Sequence, residues 1–290
     1  MMQWIQKIGS CLVRGLKFMQ AHFKATLLAV FILWLFLPSG EEGIAPHNLQ
    51  KIALSGPIMD AGEIVQELDD ARENDDVKGV LFSIDSPGGA VAPSVEIAYA
   101  IKRLSEVKPV VVYAAGIMAS GGYYSGIWGN EIIANPGSMI GSIGVIMEGA
   151  DISGLMEKVG VKTQVVHAGT YKQVGTFDRE WSPLERAELD KVINGTYNLF
   201  VSDVARARKL DPSKSSEYAD AHIFTAAQAQ KVGLIDNIGV EFDAKKRVEA
   251  LSKVKDPIWN KEDPMEKWLK QFAAEGISLA HMYFPPVTLK

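Results

Sequence analysis

The sequence predicts an α/β protein built on a largely parallel sheet. Short apolar runs alternate along the chain with segments whose apolar residues recur every three or four positions, the pattern of strand–helix–strand units. Glycine-rich segments at residues 85–89, 115–122 and 137–144 follow such runs, and sheets of this class carry their chemistry in the loops after their strands. Hydrophobic residues make up 47% and charged residues 22% of the chain, which is typical of a folded globular protein. No internal repeat is visible, so we expect a single α/β unit.

The elements of this unit follow one another from about residue 50. Apolar runs predict strands at residues 52–54, 79–84, 109–113, 131–134, 143–147 and 161–167. Helical spacing predicts helices at residues 64–72, from Pro93 to about residue 104, at 120–128, and from 182 to about 210. Pro93 and Pro183 suit the first turn of a helix, where the missing N–H of proline has no partner to lose, and Ser182 is a typical cap.

The first 40 residues have the pattern of a membrane anchor. Residues 25–37 are apolar apart from Thr26, basic residues without an acid precede them, and Glu41 and Glu42 follow. The positive-inside rule then predicts a cytoplasmic basic and amphipathic segment (1–24), one span (25–40), and the remaining chain on the extracytoplasmic side. We expect this membrane to be a bacterial-type inner membrane, with the α/β domain periplasmic or extracytoplasmic. The run is short for a span, so a cleaved signal peptide is the alternative. The lack of a small-residue cleavage site favours the uncleaved anchor.

The C-terminal residues 256–290 differ from the α/β domain at 41–255. They contain four prolines and five aromatic residues, with a possible amphipathic helix at 265–280. This extension could pack on the domain, on a neighbouring subunit or on the membrane.

Composition also excludes several classes of function. The formal net charge of -5 provides no general attraction for nucleic acid. Cys11 is the only cysteine, so no disulfide framework exists, and the spacings typical of zinc sites and of nucleotide-binding loops are absent. We therefore expect no metal, cofactor or nucleic-acid partner.

The first candidate catalytic residue is Ser120, in the sequence Met-Ala-Ser-Gly-Gly-Tyr-Tyr at residues 118–124. This serine follows a predicted strand and opens a predicted helix, where free backbone N–H groups stabilise a developing oxyanion. The small neighbours allow a substrate backbone to approach. A serine that merely caps its helix is more common, and this motif alone favours the cap.

A second glycine-rich loop, Asp85-Ser86-Pro87-Gly88-Gly89, follows the strand predicted at 79–84. Proline stiffens the turn and the glycines expose backbone N–H groups, so the loop can supply a second oxyanion donor. A plain turn is the simpler interpretation of Pro-Gly and is favoured when the loop is taken alone.

Spacing alone leaves two candidates for the base that would activate Ser120. His167 ends a predicted strand and is the histidine best placed for a Ser-His-Asp triad. Lys172 follows the same strand, with no acid within five residues on either side. A lysine amine acts as a base only when it is neutral, and burial in an apolar pocket favours that form. Most lysines are solvated surface charges, so the residues alone do not choose Lys172.

Five motifs in order resemble those of the signal peptide peptidase A family and span roughly residues 50–250. Ala90 and Gln173 depart from that family's usual residues, but neither position carries a catalytic group. The motifs are the two loops described above, Gly141-Ser142-Ile143-Gly144-Val145, Gly169-Thr170-Tyr171-Lys172, and the segment FTAAQAQKVGLID at residues 224–236.

The resemblance implies a Clp-protease/crotonase-like fold of stacked ββα units, with residues 41–255 as a protease domain. It implies a Ser/Lys dyad in which Ser120 is the nucleophile and Lys172 the general base. Ser142 matches the family serine that hydrogen-bonds to the lysine.

The same resemblance implies an oxyanion hole formed by backbone N–H groups around Gly88, Gly89 and Gly121, with no cofactor. It implies hydrophobic peptide substrates, such as signal peptide remnants left in the membrane, and a homo-oligomer. Three alternatives stay open: a broader protease for membrane-protein quality control, a crotonase-like acyl-CoA enzyme, and an inactive scaffold.

Overall fold

The computed structural model describes residues 47–260, together with Leu27, Leu28 and Phe31. These three residues are helical with exposed side chains, in the first of the two units into which the chain divides, Met1–Pro46 and His47–Lys290. The predicted segment 1–24, nearly all of the predicted span 25–40, and residues 261–290 of the predicted extension lie outside the described residues. Within the described part of the chain, no helix combines the length and the apolar character needed to cross a bilayer.

Seven strands form a single sheet among the described residues, and all but one of the pairings are parallel. This confirms the predicted α/β class. The strands are β1 (Leu49–Ser55), β2 (Gly79–Ser86), β3 (Val110–Ala119), β4 (Glu131–Ala134), β5 (Met139–Gly141), β6 (Ile223–Thr225) and β7 (Asn237–Ile238).

Eight α-helices and one 3-10 turn (Pro212–Lys214) connect these strands within residues 47–260. The helices are α1 (Gly62–Glu73), α2 (Val91–Ser105), α3 (Gly121–Gly126), α4 (Ser153–Lys158), α5 (Pro183–Arg208), α6 (Ser215–Tyr218), α7 (Ala226–Lys231) and α8 (Glu241–Ser252).

The strand order is β1-β2-β3-β4-β7, and β3 is the pivot of the sheet. One side of β3 pairs with β2, and the register shifts between Ile84 and Ser86. Its other side has two partners, because Val111–Ala114 pairs with β4 while Ile117–Ala119 pairs with β5. Strand β6 then runs antiparallel to β5. Because of this divided pairing, the end of β3 lies between β2 on one side and β5 on the other.

Both faces of the sheet are covered, so the central strands are apolar on both sides. Alternate residues of β2 illustrate this: Val80 and Phe82 pack in the larger core beneath α1 and α2, while Leu81 packs in a smaller core beneath α8. All three are fully buried. Burying one such side chain stabilises the fold by about 1.5–3 kcal/mol, so these alternating contacts fix the register of the sheet.

Two predicted strands, at residues 143–147 and 161–167, are wrong. Ile143 is buried, but Ile146 is 86% exposed and Val166 is fully exposed. These apolar runs have strand-like composition but no neighbouring strand with which to pair among the described residues. In place of the strand predicted at 143–147, the chain pairs from four residues earlier, in the short strand β5 (Met139–Gly141).

The chain after α8 returns to the edge of the sheet beside β1. The Ile258 carbonyl accepts hydrogen bonds from the N–H groups of Asn48 (2.9 Å) and Leu49 (3.1 Å). The Asn260 side chain continues this pattern, accepting from the Lys51 N–H at 2.7 Å and donating to the Lys51 carbonyl at 3.1 Å. The points where the chain enters and leaves the described domain therefore lie side by side, along the first half of β1.

Candidate active site

Ser120 lies at the junction of β3 and α3, in a backbone conformation that non-glycine residues rarely adopt. Its φ is 51° and its ψ is -125°. Holding a side chain in this region costs about 1–3 kcal/mol, and such residues concentrate at functional sites. The Ser120 N–H donates to the Gly141 carbonyl at 2.8 Å, which ties the strained residue to the end of β5. The serine side chain forms no capping hydrogen bond, so the cap favoured by the motif alone is wrong.

The irregular end of β3 is held by Asp85, which follows the buried run of β2. An oxygen of its carboxylate accepts the Ile117 N–H at 2.8 Å. A Cβ on Gly116 would lie 2.6 Å from that same carboxylate oxygen, so a larger residue would have to displace the Asp85 side chain. These contacts stabilise the point where β3 changes partner and thereby set the direction in which Ser120 leaves the strand. This role of Asp85 was not predicted, although an acid directly after a buried apolar run could have indicated it.

The Pro-Gly-Gly loop packs directly against Ser120, so it does more than turn the chain. Gly88 has a φ of +99°, and a Cβ there would lie 2.7 Å from the Gly121 nitrogen and 2.9 Å from Ser120 Cβ. Buried Ser86 fixes the loop, since its Oγ accepts the Gly88 N–H at 3.1 Å and donates to the Gly56 carbonyl at 2.6 Å. The Gly88 N–H is therefore already used within the loop.

Of the glycines in the Pro-Gly-Gly loop and beside the nucleophile, Gly89 and Gly121 line the cleft next to Ser120. Gly121 begins α3, where backbone N–H groups have no partner within the helix. A Cβ on Gly121 would lie 3.3 Å from the Gly89 nitrogen, so the two backbones are close neighbours. The same Cβ would overlap the buried Ser94 Oγ, which excludes larger residues at this position.

Ser142 follows β5 and lines the same cleft as Ser120. Its φ is +50°, and its N–H donates to the His222 carbonyl at 2.7 Å. The Ile143 carbonyl accepts the Ala221 N–H at 3.0 Å. Two backbone hydrogen bonds to residues 221 and 222 therefore hold the first two residues of the turn after β5. The structure thus brings Ser120, Ser142, Gly89 and Gly121 together.

The cleft beside Ser120 has a volume of about 310 Å³. Its walls come from the Pro-Gly-Gly loop, the starts of α2 and α3, the turn after β5, Ala221 and one face of α5. The side chains that give it an apolar character include Val91, Val95, Ile146, Leu199 and Phe200. Such a cleft suits an apolar side chain of an extended ligand.

The two candidate bases lie outside this cleft. Lys172 and His167 are exposed, in a segment between α4 and α5 that has no strand pairing. The Lys172 N–H donates to the Gly169 carbonyl at 3.2 Å, and His167 Nδ1 lies 3.2 Å from the same oxygen. Neither side chain lines the cleft of the single chain, so the choice between them stays a prediction.

The segment that carries Lys172 is fastened to the start of α5. Arg179 forms a bidentate ion pair with buried Glu185, with N–O distances of 2.7 and 2.8 Å. Glu185 also completes a capping box with Ser182, whose N–H it accepts at 2.8 Å. The hydrogen bonds from Arg179 and Ser182 lower the pKa of Glu185 to about 2. Trp181 adds a hydrogen bond from Nε1 to the Thr176 carbonyl at 2.7 Å.

One pair of residues beside the site was not predicted. Tyr124 lines the cleft one turn after Ser120, and its hydroxyl donates to Asp203 of α5 at 2.5 Å. The Tyr124 ring also meets Phe200 edge to face, with the ring centroids 4.9 Å apart. Because 79 residues separate Tyr124 from Asp203, no local pattern connects them.

A family model and several relatives named as proteases match this chain. The family model described as peptidase family S49 matches residues 102–255. A protein of Methanocaldococcus jannaschii, assigned by its name as a protease, is 41% identical over 198 residues, which cover 68% of this chain and 64% of that protein. A protein of Enterococcus faecium, assigned by its name as signal peptide peptidase SppA, is 33% identical over 218 residues, which cover 70% of this chain and 63% of that protein. The chain thus spans just under two thirds of the length of these two relatives.

The solved structure of a membrane-bound stomatin-specific protease, a point mutant of the protein named 1510-N, is similar in fold. It aligns with a TM-score of 0.52 at 14% identity, and the alignment covers 76% of this chain and 100% of that one.

Proposed function

Because this chain belongs to peptidase family S49, we propose that it is a serine endopeptidase with Ser120 as its nucleophile. The observation that carries this proposal is the strained backbone of Ser120, whose side chain is not used as a helix cap and lines an apolar cleft. The predicted Clp-protease/crotonase-like architecture of stacked ββα units is part of the same proposal. A likeness in fold to a solved protease supports it.

The reaction begins when Ser120 Oγ attacks a peptide carbonyl and its proton passes to the neutral amine of Lys172. The carbonyl oxygen becomes an oxyanion that accepts hydrogen bonds from the backbone N–H groups of Gly89 and Gly121. We assign Gly89 rather than Gly88 as donor, because the Gly88 N–H is bonded to Ser86 Oγ.

The intermediate then collapses, the C–N bond breaks, and the Lys172 ammonium donates its proton to the leaving amine. Water attacks the resulting ester while Lys172 takes a proton from it, and the acid product leaves with Ser120 restored. Ser142 supports the lysine by a hydrogen bond. No metal or cofactor takes part in these steps.

Lys172 is exposed in the single chain, so the proposal requires a cover that removes it from water. The segment around it displays Val161, Val165 and Val166, all more than half exposed. Exposed apolar side chains in this number are characteristic of an interaction surface. We propose that further copies of this chain cover the segment in a homo-oligomer.

The substrates we propose are hydrophobic peptides at or in the membrane, such as remnants of signal peptides. The apolar lining of the cleft supports this substrate class. The proposal includes the predicted single span at residues 25–40, which would hold the catalytic domain beside the bilayer on its extracytoplasmic face. Broader quality control of membrane proteins would use the same chemistry.

The proposal is tested by comparing the wild-type chain with Ser120→Ala on a fluorogenic hydrophobic peptide in detergent. Cleavage should fall by about a thousandfold or more, since the residue that forms the ester is removed. Ser213→Ala is the matched control, because Ser213 lies on the 3-10 turn and bonds only locally to Asp211.

Equal cleavage by wild type and Ser120→Ala would refute the serine mechanism. Turnover of an acyl-CoA thioester in place of the peptide would favour the crotonase-like alternative. Absence of both activities, with Ser120→Ala retaining the biological role of the chain, would favour the scaffold.

A further inference from the structure

Asp203 is a buried acidic residue that the proposed reaction does not use. Its side chain has no exposure to solvent, and both of its oxygens accept hydrogen bonds: Oδ2 from the Tyr124 hydroxyl at 2.5 Å and Oδ1 from Arg206 at 2.9 Å. A buried carboxylate is costly unless it is paired in this way. A buried charged group of this kind can fix one particular geometry that apolar packing would leave variable. The partners of Asp203 identify the elements whose geometry it fixes.

Asp203 joins two of the helices that border the cleft, α3 and α5. Tyr124 belongs to α3, and its N–H donates to the Ser120 carbonyl at 2.9 Å. Asp203 belongs to α5, where Thr196, Leu199 and Phe200 line the cleft one and two turns before it. Positions 196, 199, 200 and 203 share one face of a helix. The bond therefore ties this face of α5 to the turn that carries the nucleophile.

Of the 26 residues of α5, only Glu185, Phe200, Asp203, Val204 and Ala205 are buried. Outside the buried cluster at 200–205, α5 is held by Glu185 at its start, by the Tyr197 hydroxyl that accepts the Asp220 N–H, and by the ion pair of Arg208 with Asp236 near its end. The cluster at 200–205 is the part of α5 that packs directly beside the cleft-lining residues. The edge-to-face contact of Phe200 with Tyr124 lies within the same cluster. A change at Asp203 would consequently shift the wall of the cleft more readily than the rest of the fold.

The direction of the hydrogen bond is fixed over the ordinary pH range. Burial, together with the hydrogen bond to Asp203, raises the pKa of Tyr124, so the phenol keeps its proton and donates. Arg206 is 61% exposed and reaches Asp203 from the surface, so it balances the charge without entering the cleft.

Building on the proposed function, we propose that Asp203 is a positioning residue that sets the width of the substrate cleft through Tyr124. By holding α5 close to α3, it determines which side chain next to the cleaved bond is preferred. Asp203 itself does not touch the substrate.

The test measures peptide preference in the full-length chain in detergent. Three peptides that differ only in the residue before the cleaved bond, Ala, Leu or Trp, are compared for kcat and KM. In Asp203→Asn and Tyr124→Phe, the ratio of kcat/KM for Leu over Trp should fall by about tenfold, the factor expected when one hydrogen bond to a charged group is lost. Asp190→Asn, on an exposed position of the same helix, should keep the wild-type ratio.

Either single variant leaves a buried polar atom unpaired and can therefore fold poorly. The double variant Tyr124→Phe/Asp203→Leu removes both partners, so it should fold like wild type and still show the altered preference. An unchanged ratio in the folded double variant, or a uniform loss for all three peptides, would overturn the proposal and leave Asp203 a purely structural role.

A parallel measurement separates this inference from the proposed function. Dissociation constants of the three peptides are measured on Ser120→Ala, with and without Asp203→Asn. A changed order of affinities supports the role of Asp203 even if the wild-type chain cleaves none of the peptides, in which case only the protease proposal fails. Absence of peptide binding, or an order unaffected by Asp203→Asn, would refute the inference whatever the outcome of the cleavage assay.

Discussion

At the scale of single residues, backbone contacts determine which side chains the site tolerates. Gly88 is the clearest case, because its φ is +99° and a Cβ would press on the Gly121 nitrogen and on Ser120 Cβ. Gly56 offers a matched comparison, since its φ is +75° but no atom lies within 4 Å of a Cβ built on it. Gly56→Ala thus adds backbone strain alone, whereas Gly88→Ala adds strain and a collision with the nucleophile.

We expect Gly56→Ala to cost about 1–2 kcal/mol of unfolding free energy and to leave peptide cleavage intact. Gly88→Ala should cost several kcal/mol and abolish cleavage, because Ser120 must move. Urea unfolding and the fluorogenic assay measure the two effects. Full activity in Gly88→Ala would show that the loop does not hold Ser120.

The choice of base is also a question about single residues. We expect Lys172→Ala to reduce cleavage by about a thousandfold or more, as loss of the base in such a pair does, while His167→Ala keeps wild-type activity. Lys158→Ala, at the end of α4, is the control for loss of a nearby positive charge. The reverse result, with His167→Ala inactive and Lys172→Ala active, would replace the Ser/Lys dyad by a histidine mechanism.

The sequence predicted those site residues that lie in short, continuous motifs. Ser120 and Ser142 were found in this way, and the structure places both at one cleft. Whether Lys172 acts with them is still a prediction. Asp203 was not found, since its partner Tyr124 lies 79 residues away and its neighbours on α5 form no recognisable motif. The cap interpretation of Ser120 failed because the choice between cap and nucleophile rests on backbone angles, which residue types do not reveal.

At the scale of secondary structure, the start of α5 is a local stabilising unit with its own pH dependence. The pKa of Glu185 is about 2 in the folded chain, against an ordinary value of 4.5. A carboxyl whose pKa is lowered by folding stabilises the fold above its unfolded pKa. That stabilisation is lost as the pH falls from about 4.5 toward about 2.

We therefore expect the stability difference between wild type and Glu185→Gln to be largest at pH 6–7 and to shrink below pH 4.5. Thermal unfolding at a series of pH values measures this difference. Glu188→Gln is the control, because Glu188 makes an i,i+3 pair with the exposed Lys191 on the same helix. A wild-type-to-Glu185→Gln difference that stayed constant down to pH 2.5 would contradict the ion pair with Arg179.

The helices α1, α2 and α5 and the strand β2 have long patterns, and they fall close to their predicted positions. The short apolar strand β4 spans the predicted residues 131–134, whereas β3 begins one residue after its predicted start and extends beyond its predicted end at 113 to Ala119. The strands β5, β6 and β7 have only two or three residues each, too few for an alternating pattern to be visible. Residues 161–167 show the opposite error, because Val161, Val165 and Val166 suit a strand by composition but remain exposed in the single chain.

At the scale of the whole molecule, the exposed apolar segment leads to a prediction about assembly. If other copies cover Val166 and its neighbours, Val166→Asp should dissociate the assembly and lower peptide cleavage along with it, because it would place a charge in an apolar interface. Val107→Asp is the control: Val107 is 64% exposed and follows α2, outside the segment between α4 and α5.

Light scattering in detergent gives the assembly size for both variants. An unchanged size and activity in Val166→Asp would rule out this segment as the interface. A smaller particle with full activity would show that assembly is not required for cleavage.

The short free edges of the sheet carry a further consequence for the proposed cleavage of extended peptides. Unpaired strand edges recruit extended chains without regard to their sequence. Here residues 258–260 cover the first half of β1, and the Asn260 side-chain amide forms the hydrogen bonds to Lys51 that a neighbouring strand would form. At the other end of the strand order, β7 has only two residues. Bound peptides would thus find little unsatisfied main chain at either end of the sheet. Main-chain pairing at the two ends of the sheet would therefore compete little with the binding of an extended peptide beside Ser120.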